Sequence, residues 1–357
     1  MHPEIPEQMR AAVYVGDSRL SVETVPVPLI APGELLVRVE ACGICHTDLK
    51  KIEHNLLAPP RIFGHEIAGV VVALGEGVEG HQVGEGVVVF HHVPCQDCFY
   101  CRRKLYAQCG TYKKVGVTAG YEPAGGGFAE YVRVMDWIVK RGVEKIPDGV
   151  SFERACLVEP VNACLKAVQA VDAQAYQLAL ILGQGPIGLL FTLLARHAGA
   201  RVVSTDLMEG RRGLSVGLGA EHSWDPRDGD LQPKVAALSG GRGADLVIVA
   251  ASFPGAVQEA VRCSRPGSRV LLFSQTSPQE KVELSGADIC VGERTILGCY
   301  SASIDLQKES GRLVFDGALP VERLISHRLP LADISRGIEL ALHPAEGSLK
   351  IVVQPQR

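Results

Sequence analysis

Four cysteines fall within the sixteen positions of "PCQDCFYCRRKLYAQC", Pro94 to Cys109. Cys95, Cys98, Cys101 and Cys109 follow the spacing C-x2-C-x2-C-x7-C, tight enough for one loop to wrap a single ion. Four thiolates fill every position of tetrahedral Zn2+ and leave none for substrate or water, so a site of this composition is structural. An iron–sulfur cluster is the rival, since thiolates serve both, although a lone compact loop favours zinc. A disulfide framework fits poorly, because the chain carries an odd number of cysteines, eleven, and reads as cytoplasmic.

A different set of residues could hold a metal that reacts. "CGICHTDLK" sets Cys45, His46, Thr47 and Asp48 in a row, with Lys50 just beyond; "GHEIAG" joins His65 to Glu66; "LVEPVNACLKAV" brings Glu159. Thiolate, imidazole and carboxylate together are the mixed donor set of a zinc with one position open. Singly each has a plainer reading: a buried thiol, a hydrogen-bonded loop histidine, a salt-bridged acid.

The third constellation is "LALILGQGPIGLL", where Gly183, Gly185 and Gly188 make G-x-G-x-x-G between an apolar strand and a helix opened by Pro186 and Ile187. The first glycine permits the tight turn, the second lets a pyrophosphate approach the backbone, and the third lets helix pack on strand. The amides at the helix start then face the phosphates. Asp206 stands eighteen residues after Gly188, at the end of "RVVSTD". A carboxylate there accepts from ribose hydroxyls and repels a 2′-phosphate, which favours NAD over NADP. Arg211 and Arg212 follow closely and blur that choice, since an arginine can accommodate the phosphate.

These residues need a scaffold. The first ~150 residues read as β-rich, with "MRAAVYV", "ELLVRVEAC", "EIAGVVVAL", "EGVVVF" and "AEYVRV" as short strands and loops between them carrying the reactive groups. From near residue 160 apolar strands alternate with helices: "LALILG", "RVVSTD", "DLVIVAAS", "SRVLLFS" and "RTILGCY" as strands, "PIGLLFTLLARHAG" and "GRRGLSVGLG" as helices. Runs apolar on both faces mark a parallel sheet covered by helices. The tail from about Ser303 adds a helix, "LADISRGIELAL", and a last strand, "KIVVQ". A chain of 357 residues with 46% hydrophobic content suggests two packed domains. A formal charge of -4 gives no reason to expect nucleic acid or a membrane surface. "MHPEIPEQMR" lacks the apolar run of a signal peptide, and no stretch has the length of a membrane span.

"GHEIAGVVVALGEGV", Gly64 to Val78, matches G-H-E-x2-G-x5-G-x2-V at every fixed position. With "CGICHTD", the four-cysteine loop and "GQGPIG" in order, the chain resembles the zinc-dependent medium-chain alcohol dehydrogenases. "LVEP" and "STD" look most like the sorbitol and threonine dehydrogenase branch. The resemblance implies an α/β chain. A GroES-like catalytic domain would span 1–158, with a structural-zinc lobe at 94–110, and a Rossmann domain 159–301 in a doubly wound parallel sheet. The chain would return to the catalytic domain over 302–357.

It further implies two zinc ions. The catalytic one would be held by Cys45, His65 and a glutamate, either Glu66 or Glu159. Asp48 would orient the histidine. Zinc would act as a Lewis acid on an alcohol whose hydride passes to NAD, with NADP less favoured. Thr47 matches a proton-relay hydroxyl, and Lys50 stands where alcohol-metabolising members carry a relay histidine. His46 matches a pyrophosphate contact. Ile187, Asp206 and Arg211 would meet the cofactor, and Phe273 and Cys299 would border the nicotinamide. Lys166 departs from the histidine common in that branch; otherwise it is merely an exposed helix residue. The expected substrate is a secondary alcohol or polyol, or alternatively an amino alcohol of the threonine kind. A non-catalytic zinc and nucleotide-binding protein is the reading from another class. The resemblance also implies a homo-oligomer, a homotetramer or a homodimer.

Overall fold

In the computed structural model the β-branched runs do form strands, and their pairing fixes where the reactive groups lie. The structure describes residues 5–90, 93–111, 125–173, 177–274, 281–345 and 347–357. The chain divides into two compact units, 1–162 with 302–357, and 163–301.

The first unit is built on the strand Leu35–Gly43, whose residues alternate little because both faces are covered. It pairs antiparallel with Glu66–Leu74, placing Gly43 opposite Glu66. On its other side it pairs with Lys350–Gln354, placing Gly43 opposite Val352. The sheet runs Ile325–Pro330, Lys350–Gln354, Leu35–Gly43, Glu66–Leu74, Gly86–Val89, Val143–Lys145, and Tyr131–Val134 also joins Leu35–Gly43. A three-stranded sheet places Gln8–Gly16 between Arg19–Pro26 and Arg61–Ile62. Tyr14, Leu35, Phe63, Ile67, Phe128 and Ile138 are fully buried in the shared core. Each such side chain contributes about 1.5–3 kcal/mol of burial.

The second unit holds six parallel strands in the order His222–Trp224, Arg201–Thr205, Leu178–Leu182, Ala244–Val249, Ser264–Leu272, Thr295–Gly298. All five residues of Leu178–Leu182 are buried, as a central strand covered on both faces requires. The chain order reverses at this strand, since its two neighbours run off to opposite edges. Ligands of doubly wound sheets bind at the carboxyl end of that reversal, where Gly183 begins.

Candidate metal and dinucleotide sites

Cys45 caps the helix His46–Glu53 in an extended conformation, and its carbonyl accepts the amides of Asp48 at 3.0 Å and Leu49 at 3.3 Å. His46, Thr47, Asp48 and Lys50 therefore lie on a helix, where the sequence predicts a loop. The stretch lacks Gly and Pro, and Asp48 in its first turn suits the positive helix end. Asp48 is wholly buried, and its Oδ1 accepts from His65 Nδ1 at 3.0 Å. That bond puts the ring proton on Nδ1 and presents Nε2 as the donor atom to a metal. Burial pulls the imidazolium of His65 down, but Asp48 and Cys45 outweigh it and hold its pKa well above the ordinary value.

Glu66, at the start of its strand, is 1% exposed and ion-paired with Lys350, itself 7% exposed. Lys350 Nζ also donates to the Ile44 carbonyl at 3.0 Å. Burial works against the Lys350 ammonium, yet Glu66 and Cys45 raise its pKa above the usual lysine range. A side chain at position 43 could not coexist with this pair, because a Cβ on Gly43 would lie 1.9 Å from Glu66 Oε2 and 2.8 Å from Lys350 Cε.

The donor atoms of Cys45, His65 and Glu66 all lie within 4.8 Å of one another. Two anionic donors and an imidazole so gathered suit Zn2+ and leave a tetrahedral position over. Glu159 falls in the same unit but outside that group. Burial pushes its carboxyl up to about 7; His65 works against the rise and Glu66 adds to it.

The donor atoms of Cys95, Cys98, Cys101 and Cys109 converge to the same degree. Cys95 Sγ lies 3.8 Å from Cys101 Sγ and 3.6 Å from Cys109 Sγ. The backbone amide of Cys101 pulls the Cys98 thiol down, while burial pushes Cys101 up to about 12. A divalent cation would let all four ionise together. Tyr106 Oη anchors the lobe by donating to both carboxylate oxygens of Asp305, at 3.1 and 3.0 Å.

In the second unit the three glycines differ in what requires them. Gly183 has φ of 93°, and a Cβ there would meet Ala251 Cβ at 2.5 Å. A Cβ on Gly188 would lie 1.9 Å from the Gly183 carbonyl oxygen. Gly185 is ordinary extended backbone capping the helix Pro186–His197, and its Cβ would meet only Arg211 Nη1, at 3.8 Å. The protein itself does not demand glycine at 185; a pyrophosphate laid against the backbone would. Asp206 accepts the Gln184 amide at 2.7 Å and the Met208 amide at 2.9 Å, with Arg211 Nη1 4.0 Å away.

The other predicted residues lie as follows. Thr47 and Lys50 are half-buried and His46 is exposed. Burial lowers the Lys50 ammonium. Phe273 packs edge-on against Phe191, with centroids 4.9 Å apart, and the Cys299 amide donates to the Leu272 carbonyl at 3.2 Å. Lys166 is half-buried rather than an exposed helix residue, donating to the carbonyls of Tyr300 at 2.8 Å and Ser301 at 3.4 Å. The sequence alone does not point to Lys350, Gly43 or Asp225. A lysine that meets a signature acid across an intervening strand becomes visible only once Lys350–Gln354 and Glu66–Leu74 are both paired with Leu35–Gly43.

A zinc-suited donor set on one β-rich unit and a dinucleotide turn on a second, doubly wound unit of the same chain define a zinc-binding oxidoreductase. Residues 31–148 match the alcohol dehydrogenase GroES-like domain and residues 186–321 the zinc-binding dehydrogenase domain. The chain is 29% identical to sorbitol dehydrogenase of Bacillus subtilis strain 168, covering 99% of each. It is 32% identical to L-threonine 3-dehydrogenase of Pyrococcus furiosus over 85% of this chain and 86% of that one. A zinc-binding dehydrogenase from Sinorhizobium meliloti 1021, solved with NADP, superposes with a TM-score of 0.89 at 31% identity, covering 98% of this chain and 100% of that one. The chain belongs to the zinc-binding medium-chain alcohol dehydrogenase family, with a GroES-like unit and a Rossmann unit. Among the described residues no helix is long and apolar enough to cross a membrane.

Proposed function

We propose that this enzyme oxidises a secondary alcohol or polyol, and reduces the matching ketone, with NAD as the preferred hydride carrier. The convergence of Cys45, His65 and Glu66 within 4.8 Å carries the reading, because nothing in the fold itself calls for those three donors together. Zinc held there would supply Lewis acidity to the substrate oxygen, and NAD the hydride chemistry. Asp48 fixes the ring of His65, and Lys350 offsets the charge of Glu66. Glu159 stands as a second acid close enough to feel both. Thr47 and Lys50, on the helix that Cys45 caps, carry the substrate proton outward. Cys95, Cys98, Cys101 and Cys109 hold a second, structural zinc. His46, Pro186, Ile187 and Arg211 contact the dinucleotide, and Phe273 and Cys299 border its nicotinamide.

The sorbitol dehydrogenase relative supports a polyol. An amino alcohol is the second reading, favoured by the threonine dehydrogenase relative. Initial rates with NAD on a panel of polyols, threonine-type amino alcohols and simple secondary alcohols separate the two. Turnover of none, with zinc and NAD bound, would instead identify a non-catalytic binding protein. Among the described residues no two cysteines are joined in a disulfide, which supports a reducing cytoplasmic setting. The edge strand Thr295–Gly298, with Val291 83% exposed beside it, supports a homodimer or homotetramer, which light scattering tests.

A further inference from the structure

Arg212 is one of two arginines that follow Asp206, and its guanidinium is already engaged. Arg212 Nη1 donates to the carbonyls of Asp206 and Leu207, each at 2.9 Å, and to Asp225 Oδ2 at 3.2 Å. Asp225 follows the neighbouring strand His222–Trp224 and is 7% exposed. Its Oδ1 accepts the Arg227 amide at 2.9 Å and Arg227 Nε at 2.8 Å, and its Oδ2 accepts Arg227 Nη2. Arg227 Nη2 reaches the Leu207 carbonyl as well, at 3.3 Å. The Asp206 amide donates to the Trp224 carbonyl at 3.2 Å. Two successive strand ends are thus clamped together through one buried carboxylate, and the clamp grips the backbone of the ribose-binding acid.

We propose that Asp225 is a specificity-determining residue of the dinucleotide site. It holds Arg212 on the carbonyls of Asp206 and Leu207, and so keeps that guanidinium from serving a 2′-phosphate. The inference rests on the NAD reading above. A charged guanidinium prefers a carboxylate or phosphate partner to carbonyls alone. With Asp225 neutralised, Arg212 keeps only carbonyl and amide partners there, and a bound NADP would offer it a 2′-phosphate instead. The Asp206–Leu207 turn would meanwhile lose its anchor, to the detriment of the ribose hydroxyl contacts.

The test is direct binding of NADH and NADPH to the zinc-loaded protein by nucleotide fluorescence, in wild type, Asp225→Asn, Arg212→Met and the double variant. Wild type should bind NADH the more tightly. Asp225→Asn, nearly isosteric, should shift the NADH-to-NADPH affinity ratio towards NADPH by about tenfold, the scale of one charge-assisted hydrogen bond. Adding Arg212→Met should abolish the NADPH gain, which mere loosening of the fold would not do. Arg212→Met alone should weaken NADH more than NADPH, a result that does not depend on how the Asp225 variant folds. An Asp225→Asn ratio within about twofold of wild type, or selective loss of NADPH on Arg212→Met, would overturn the proposal. If wild type binds neither nucleotide, the dinucleotide reading itself fails and takes this inference with it.

Discussion

Lys350 and Glu66, 284 positions apart, form a buried ion pair beside the donor atoms of Cys45 and His65. The antiparallel pairing of Leu35–Gly43 with both Glu66–Leu74 and Lys350–Gln354 brings them together. Removing one partner of a buried pair leaves an uncompensated charge. Lys350→Met should therefore cost about 3–5 kcal/mol in urea unfolding of the apo protein. Glu66→Gln combined with Lys350→Met should recover most of that stability while binding zinc less tightly. Equal stability in the single and double variants would show the pair to be unimportant.

Asp48→Asn keeps the size of the side chain but no longer fixes the His65 ring in the same way. Zinc affinity should fall about 10–100-fold, as for other carboxylate partners of metal-bound histidine. Competition with a chromophoric chelator measures this. An unchanged affinity would remove Asp48 from the site.

Gly185 and Gly188 should separate folding from nucleotide binding. Gly188→Ala sets a Cβ 1.9 Å from the Gly183 carbonyl oxygen and should lower the melting temperature by several degrees. Gly185→Val sets a Cβ no nearer than 3.8 Å to Arg211 Nη1 and should melt near wild type, but its NADH affinity should collapse. A Gly185→Val protein with normal NADH binding would show that nothing is laid against that turn.

Lys50, half-buried with its ammonium pKa lowered by burial, is proposed as the outer end of the proton relay. Lys50→Ala should alter the alkaline limb of the kcat profile while leaving NADH affinity unchanged. An unaltered profile would hand the relay to water.

The metal loops and the dinucleotide turn were legible because their chemistry is local. A spacing of two residues between cysteines, or three glycines around a strand end, carries its geometry within a few positions. Missing were contacts made by distant segments. Nothing near Lys350 announces a partner for Glu66, and nothing near Asp225 announces a clamp on Asp206. The strand Arg19–Pro26 is not legible in the sequence either, since its largely exposed residues give no apolar alternation. The helix Leu231–Leu238 hid behind a proline in its first turn, although Asp230 caps it by accepting the Gln232 amide at 3.0 Å. The helix His46–Glu53 is hard to read from sequence because it is only eight residues long and buries just Asp48, Leu49 and Ile52.

The central claim is that Cys45 and His65 share a zinc that does chemistry, apart from the zinc of the four-cysteine lobe. Zinc content by mass spectrometry, read with NAD-dependent alcohol oxidation, tests it in wild type, Cys45→Ser and Cys98→Ser. Wild type should hold two ions per chain, one for each donor group. Cys45→Ser should lose one ion and its turnover. Cys98→Ser should lose the other and some thermal stability, yet keep turnover in proportion to the folded fraction. A Cys45→Ser protein with wild-type zinc and wild-type turnover would contradict the claim outright.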